Sequence, residues 1–382
     1  MLITLPYRER AALAIQSAAQ DAHVLRGIVD SASVKNIWRK NGGLQNVNAG
    51  PVRSVGIQAD LMRIAANQLK SPRISLSAMH ISKVLFDRGA VGMVPENVQT
   101  LIGFPGASRR TFGVAPPQST KVLHCVDAHP RHHNSALLSH FSKAECRAEL
   151  YPEWLVQRIE AEIDSADLLL VPSELVADQM RRNKVPDSKI VVEPYGVDFE
   201  LFMPKSSQFS HHRTTPKILY VGQISRRKGL GFLLEAIRNL PLELELIGNV
   251  FDPAIIQDLP PNVCLSPPLN HSALVSKYHE ADAFVIPTIE DACSLVALEA
   301  AAAGLPVIST HVNGAMEILP ATVSRVLNPG DTATLQETLR DIGPLDQDDR
   351  EANVAAVRGS FVRSWTEYGA AIVSRTHGSR DD

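Results

Sequence analysis

The 382-residue chain is 45% apolar and 21% charged, a composition of soluble globular proteins, and it is long enough for two ordinary domains. No apolar run reaches the roughly 18 residues that a membrane span needs, and the opening MLITLPYRERAALAIQ lacks a basic head, so no signal peptide is expected. Four scattered cysteines without a CxxC pair argue against a zinc or disulfide framework and for a reducing cytoplasm. The net charge of −3 hides an asymmetry: residues 1–143 carry 17 Lys and Arg against 7 Asp and Glu, the remainder 21 against 34. A basic first third suits an anionic surface such as phospholipid head groups or a phosphorylated acceptor, or is a solvated face. With no recognition motif and no basic stripe interleaved with aromatics, no nucleic-acid partner is expected.

Strand-like and helical patterns alternate, as in α/β folds with parallel sheets. In the first half the strand candidates are LITLP, VLRGIVDS, QTLIGFPG, KVLHCVD, LLLVPS and IVVEPYG. Helical stretches separate them, among them Arg8–Gln20 and Glu153–Ile163. The Gly- and Asn-rich stretch from Trp38 to Arg53 reads as a loop. The polar segment MPKSSQFSHHRTTP carries turn formers and reads as an interdomain linker. A second series follows: KILYVG, LELELIG, VCLSPP, AFVIP, PVIST and SRVLN. Two such series imply two Rossmann-like domains, 1–200 and 217–354, joined by a linker over 201–216. A helix at about 355–376 is expected to pack back on the first domain. Ligand is expected at the C-terminal ends of the strands, in a cleft.

The stretch PTIEDACSLVALEAAAAGLPVIST places carboxylates where a strand, AFVIP, meets a helix, SLVALEAAAAG. The loop Thr288–Ser294 then lies over the crevice. The free N–H groups at Ser294, Leu295 and Val296 make the helix start an anion site. Glu299, in the second turn, suits a ribose diol, and Glu290 and Asp291 suit sugar hydroxyls. The competing reading has Asp291 capping the helix and Glu299 in a surface ion pair. A second signal, VGQISRRKGLGFLLEAI, follows the first strand of the second series. Gly222 ends the strand, and Arg226, Arg227 and Lys228 crowd the next helix start, as suits a diphosphate or an ordinary solvated turn.

These two stretches resemble the C-terminal domain of glycosyltransferase family 4, the group 1 glycosyl transferases, retaining enzymes of the GT-B fold. The family's VGR…KG and PSxxEGFGLVxLEAMAxGxPVI patterns are met by Gly222, Lys228, Pro287, Thr288, Asp291, Leu295, Val296, Glu299, Ala300, Gly304, Pro306 and Val307. NGAMEIL resembles the following GGxxE, with Gly314 and Glu317 in place, and VVEPYGVDFELFMP resembles the family's approach to the linker. Two departures bear on the donor: Gln223 stands where the family has arginine, with Arg226 or Arg227 available in its place, and Ala292-Cys293-Ser294 replaces a GFG turn. In HCVDAHPRHHNSALL the resemblance places His129 at a family histidine. Four histidines in ten residues (His124, His129, His132, His133) also raise a metal, although their spacing lacks a first-shell pattern. Asp346–Asp348 reads as polar surface.

The resemblance implies sugar transfer from a nucleotide-sugar to a hydroxyl of a glycan or lipid-linked glycan, with retention. It implies no metal and no other cofactor. Glu299 would hold the ribose. Lys228, Arg227 and the helix start would neutralise the leaving diphosphate. Asp291 would orient the sugar, and Gly222, Gln223 and Cys293 would line the donor pocket. His129 would act from the other domain. Cytoplasmic placement with reversible contact to anionic membrane is the matching expectation. The rival is a catalytically weak GT-B scaffold that binds nucleotide-sugar.

Overall fold

Runs of consecutive apolar residues make most of the strands, as expected where a parallel sheet is covered on both faces, while two of them, VRSV and ELELI, alternate. In the computed structural model, residues 1–5, 10–22, 25, 27–31, 52–55, 72–204, 214–360 and 363–377 are described. They divide into two units, one formed by Met1–Asn134, Arg147–Gly196 and Trp365–Asp382, the other by Ser135–Cys146 and Val197–Ser364.

The first unit holds a seven-stranded sheet of β1 (Leu2–Leu5), β2 (Gly27–Ser31), β3 (Val52–Val55), β4 (Thr100–Gly103), β5 (Thr120–His124), β6 (Leu168–Val171) and β7 (Ile190–Val192). Its order is β3-β2-β1-β4-β5-β6-β7 and every pairing is parallel. The helices used below are α1 (Arg10–Asp21), α2 (Pro72–Ala90), α3 (Arg109–Val114), α4 (Pro130–His140), α5 (Glu153–Ser165) and α6 (Glu174–Arg182). The six strand candidates of this half all form. The stretch read as a loop from Trp38 to Arg53 needs correction at its end: Val52 and Arg53 open β3, an edge strand whose VRSV has only two apolar residues and follows a loop-like Gly- and Asn-rich run. The rest of that loop, including Arg39 and Lys40, lies outside the described residues, as does 205–213 of the expected linker.

The second unit holds β8 (Lys217–Val221), β9 (Glu243–Ile247), β10 (Val263–Ser266), β11 (Ala283–Ile286), β12 (Val307–Thr310) and β13 (Ser324–Leu327) in the order β10-β9-β8-β11-β12-β13, again all parallel. Its helices include α7 (Leu230–Ile237), α8 (His271–Glu280), α9 (Leu295–Ala302) and α10 (Gln347–Ser360). β11 and β12 are buried at every position, which is why AFVI and VIST carry no polar alternation. The last helix, α11 (Trp365–His377), belongs to the first unit and packs along α1. Gly369 makes that approach close, since a Cβ there would overlap the Ala14 carbonyl.

The units part elsewhere than at 200 and 217. The chain crosses between Gly196 and Val197, and 199–202 is already part of the second unit. The Phe202 ring is fully buried 5.7 Å from that of Tyr278, and its carbonyl pairs with His279 Nε2 at 2.8 Å. The segment 135–146 joins the second unit through Phe141, 5.7 Å from Phe232, and His140, whose Nε2 pairs with the Pro329 carbonyl at 3.2 Å. The expected single helix over 355–376 is two. α10 is anchored in the second unit by Arg350, whose guanidinium donates to the carbonyls of Ala303 (2.9 Å) and Ala281 (2.5 Å) and so closes the ends of α9 and α8. Asp346 accepts from Asp349 N–H (2.8 Å) in the first turn of α10, a capping role rather than bare surface.

Candidate functional site

β8 and β11 are neighbours at the middle of the second sheet, and the strand order runs outward in opposite directions from them. In an open parallel sheet this is the switch point, where the loops leaving two adjacent strands diverge over a crevice. Here those loops are 222–229 and 287–294, the two stretches that the sequence singles out.

The loops are zipped together. The Arg227 carbonyl accepts from Ile289 N–H (2.8 Å) and from Thr288 Oγ1 (3.0 Å). Gly229 has φ 69°, and a Cβ there would overlap the Pro287 carbonyl oxygen, so only glycine serves both the left-handed backbone and the contact. The Tyr220 hydroxyl donates to the Gln223 carbonyl (2.6 Å) and fixes the turn after Gly222.

The charged groups interlock across this seam. The Lys228 ammonium donates to Asp291 Oδ2, with both side chains nearly buried. Burial pulls the Lys228 ammonium below the ordinary lysine range, the Arg227 guanidinium adds to this, and Asp291 opposes it. Arg227 donates to the Glu290 carbonyl (2.9 Å) and lies 3.8 Å from its carboxylate. Arg226, one of the two residues available in place of the missing arginine, is held by Asp252 (2.9 Å) and Glu145 (3.6 Å) and lies over the Phe141 ring (5.6 Å), a local ion-pair set the sequence spacing could not reveal.

Behind the seam, α9 begins at Leu295 with Ser294 as its N-cap, and no side chain caps it. Asp291 therefore is not the cap; its backbone pairs instead with Val312 and Gly314 across a parallel bridge to Asn313. The first N–H groups of a helix, here those of Leu295 and Val296, have no intrahelical acceptor. Glu299, 5% exposed, accepts from the Tyr278 hydroxyl at 3.1 Å, which replaces the surface ion pair considered from sequence. Cys293 and Ala292 are buried in the turn. Two buried hydroxyls, Ser225 Oγ in the first loop and Ser294 Oγ at the helix start, have no hydrogen-bond partner. Unpartnered buried hydroxyls are uncommon and mark a place where a polar ligand can bond.

Asn313 escaped the sequence reading. It is fully buried: Oδ1 accepts from Ser294 N–H (3.1 Å) and Ala315 N–H (3.1 Å), while Nδ2 donates to Ser309 Oγ (3.0 Å). It thus pins the helix start to the loop after β12. The Asn-Gly pair after a strand was the available signal, but its partner across the sheet was not. Gly248 is a second omission, since a Cβ there would overlap the Gly222 carbonyl.

His129 lies in the first unit at the start of α4. Its Nδ1 accepts from Arg131 N–H (3.3 Å), and its own N–H donates to Gln179 Oε1 (3.1 Å). Burial lowers its pKa to about 4, so the ring is neutral. It lines a polar recess of about 290 Å³ with Glu160, Asp164, Asn183, Lys184 and Lys189, most of them residues leading into β6 and β7. The other histidines go to separate neighbours: His133 stacks on Tyr151 (4.5 Å) and His124 Nε2 pairs with Tyr368 Oη (2.7 Å). Among the described residues, no group of three or more His, Cys, Asp or Glu could hold a metal ion.

Residues 215–342 match the family model "Glycosyl transferases group 1". Most of the second unit thus resembles a group 1 glycosyl transferase domain. Its match takes in both loops of the switch point, α9 and Asn313. Curated relatives are glycosyltransferases. The D-inositol 3-phosphate glycosyltransferase of Xylanimonas cellulosilytica is 28% identical over 58% of this chain and 59% of its own length. The putative colanic acid biosynthesis glycosyltransferase WcaL of Escherichia coli is 25% identical over 65% of this chain and 60% of its own. The chain thus spans about half to three-fifths of the curated relatives it matches. Among solved structures, sucrose-phosphate synthase from Thermosynechococcus elongatus superposes with a TM-score of 0.71 at 18% identity, covering 99% of this chain and 98% of that one. WaaG, a glycosyltransferase involved in lipopolysaccharide biosynthesis, does so with 0.64 at 16% identity, covering 99% and 100%. Over its whole length the chain has the GT-B fold.

Proposed function

We propose that the chain is a retaining glycosyltransferase that moves a sugar from a nucleotide-sugar to a hydroxyl of a glycan or lipid-linked glycan. The observation carrying this reading is the Lys228–Asp291 seam at the β8/β11 switch point, with the α9 N-terminus and Glu299 behind it. On this reading Glu299 accepts from the ribose hydroxyls. Lys228, Arg227 and the N–H groups of Leu295 and Val296 meet the diphosphate, helped by the unpartnered Ser225 and Ser294 hydroxyls. Asp291 and Cys293 border the sugar, and Gly222 and Gln223 form the floor. As the bond from the anomeric carbon to the phosphate oxygen breaks, negative charge grows on that oxygen. Fixed cations and helix N–H groups stabilise it more than they stabilise the bound donor. The acceptor oxygen adds on the same face, and its proton passes to the departing phosphate. No metal or other cofactor is required.

Incubating the purified protein with individual nucleotide-sugars tests this. Release of nucleoside diphosphate with acceptor, and a product of unchanged anomeric configuration by NMR, is the expected result. An inverted product overturns retention, and loss of activity on chelation overturns metal independence. Gln223 and the Ala292–Ser294 turn favour a second reading, a scaffold that binds donor without turning it over. Binding without transfer selects it.

No helix among the described residues is long and apolar enough to cross a membrane. We place the protein in the cytoplasm, in reversible contact with anionic lipid through its basic third. Arg109 and Arg110, exposed at the start of α3, are the described candidates. Binding to anionic vesicles that is insensitive to salt would count against this electrostatic attachment.

A further inference from the structure

The first unit contains a buried histidine that no feature of the donor site explains. His80, on α2, is 5% exposed, and neither ring nitrogen has a hydrogen-bond partner. A buried imidazole with both nitrogens unmatched is costly, because each has given up water without replacement. Its ring meets Tyr151 edge-on at 5.6 Å, and Tyr151 is stacked in turn on His133. His80 lines a partly open recess together with Lys83, Asp127, Tyr151, Cys125 and Leu155. Lys83 follows one helical turn after His80 and donates to the Pro105 carbonyl at 3.3 Å, which holds it beside the recess. Pro105 follows β4, and Cys125 and Asp127 follow β5, so the recess lies at the C-terminal ends of the strands. It is next to the point where the order of this sheet reverses, between β1 and β4. In sheets of this kind that is the ligand-binding edge.

The chemistry of the lining selects the ligand. Burial and the neighbouring Lys83 and His133 lower the His80 pKa to about 3, so the ring is neutral and offers one donor and one acceptor. Lys83 adds a donor and Asp127 an acceptor. A hydroxyl group, itself both donor and acceptor, matches this set. A phosphate does not, because it donates little and would face the Asp127 carboxylate. The recess offers about 20 Å³ of space to a water-sized group, room for one such group. One hydroxyl or hydroxymethyl can enter, and the ring bearing it stays at the mouth.

We propose that this recess is a recognition site for a neutral saccharide or cyclitol ring, with the His80 imidazole bonding the inserted hydroxyl and Lys83 and Asp127 flanking it. Resting on the glycosyl-transfer reading above, the ligand is then the hydroxylated end of the acceptor. Recognition itself needs no transfer, so the two ideas fail separately.

The test is a titration of the full chain carrying isotope-labelled histidine, followed through the His80 ring signals by NMR. The probes are myo-inositol, D-glucose, D-galactose and D-mannose in one arm and inorganic phosphate in the other. At least one neutral probe should shift the His80 signals saturably in the millimolar range, and phosphate should not. His80→Phe should abolish the response of its neighbours, and His80→Gln, which can still bond a hydroxyl, should retain a weakened one. Lys83→Met should weaken binding several-fold. Nucleoside diphosphate binding, measured on the same samples, should be unchanged in all three. A saturable response to phosphate alone overturns the proposal. So does silence to every neutral probe together with a His80→Phe protein more stable than the original, which would make the recess a water-filled packing defect.

Discussion

The Lys228 ammonium is bonded to the Asp291 carboxylate, joining the loop after β8 to the loop after β11 at the switch point of the second sheet. On the proposed reading, two groups that meet different parts of the donor hold each other here, and the lysine would exchange one anionic partner for another or share itself between two. Removing one partner leaves the other charge nearly buried without compensation, which is more damaging than loss of a surface pair.

Lys228→Met should lower turnover by about 100-fold while raising the donor Michaelis constant much less, because leaving-group charge is largest in the transition state. Asp291→Asn should also reduce turnover, and the double variant should cost less than the two effects combined, since the residues are in contact. Steady-state kinetics with saturating acceptor check this. A donor Michaelis constant that rises alone would remove Lys228 from the chemical step.

Glu299→Gln should weaken binding of the nucleoside diphosphate by about 1.5–3 kcal/mol, the range for hydrogen bonds to a charged group. Tyr278→Phe removes only the hydroxyl that orients the carboxylate at 3.1 Å and should cost about 0.5–1.5 kcal/mol. Calorimetric titration separates the two, and equal losses would mean that Glu299 acts through packing rather than through the ribose.

Asn313→Ala should destabilise the second unit by about 2–4 kcal/mol, since Ser294 N–H, Ala315 N–H and Ser309 Oγ all lose their partner in a dry setting. Asn313→Asp keeps the acceptor but loses the donor to Ser309 and adds a buried charge near the α9 start. It should depress donor binding more than the alanine change does, through repulsion of the diphosphate. Urea unfolding and nucleotide titration read the two effects independently.

Acid should destabilise the first unit before its carboxylates protonate. Burial lowers the His124 pKa from 6.5 to about 4. Above pH 6.5 the ring is neutral in folded and unfolded chains, and its contribution is complete. Between pH 6.5 and 4 the unfolded chain takes up a proton that the folded one refuses, so stability falls as pH falls, by up to about 3 kcal/mol. His129, at about 4, and His80, at about 3, act in the same direction. Unfolding measured at pH 7.5, 6 and 5 should show the decline, and His124→Gln should flatten it while lowering the plateau through loss of the Tyr368 bond.

The sequence displayed what depends on neighbours along the chain. AFVI and KILYV read as strands because a fully buried parallel strand has no polar face to hide, and the helix after Ser294 followed from its apolar run and Gly304. It concealed what depends on which strands become adjacent. Asn313 matters only because β12 lies beside β11, which brings its amide to Ser294. Arg226 sits one residue from Arg227 and two from Lys228, yet Asp252 and Glu145 draw it out of the set, and no spacing rule places those carboxylates. His129 follows a recognisable strand, but its ring is spent on the first turn of α4 and faces residues that precede β6 and β7. VRSV was missed because its two valines alternate with Arg53 and Ser54 directly after a Gly- and Asn-rich run, so it has no consecutive apolar stretch to set it apart from a loop.

The packing of α11 on α1 ties the history of the two units together. A nascent domain ordinarily completes itself as it leaves the ribosome, first segment first. Here the first sheet cannot bond His124 to Tyr368, or cover the face of α1 that receives Gly369, until Trp365–His377 has been made. All of the second sheet is synthesised in the interval. The earlier half of the chain is therefore the later to be sealed, and an apolar groove on it stays open to chaperones for as long as translation of some 170 further residues takes.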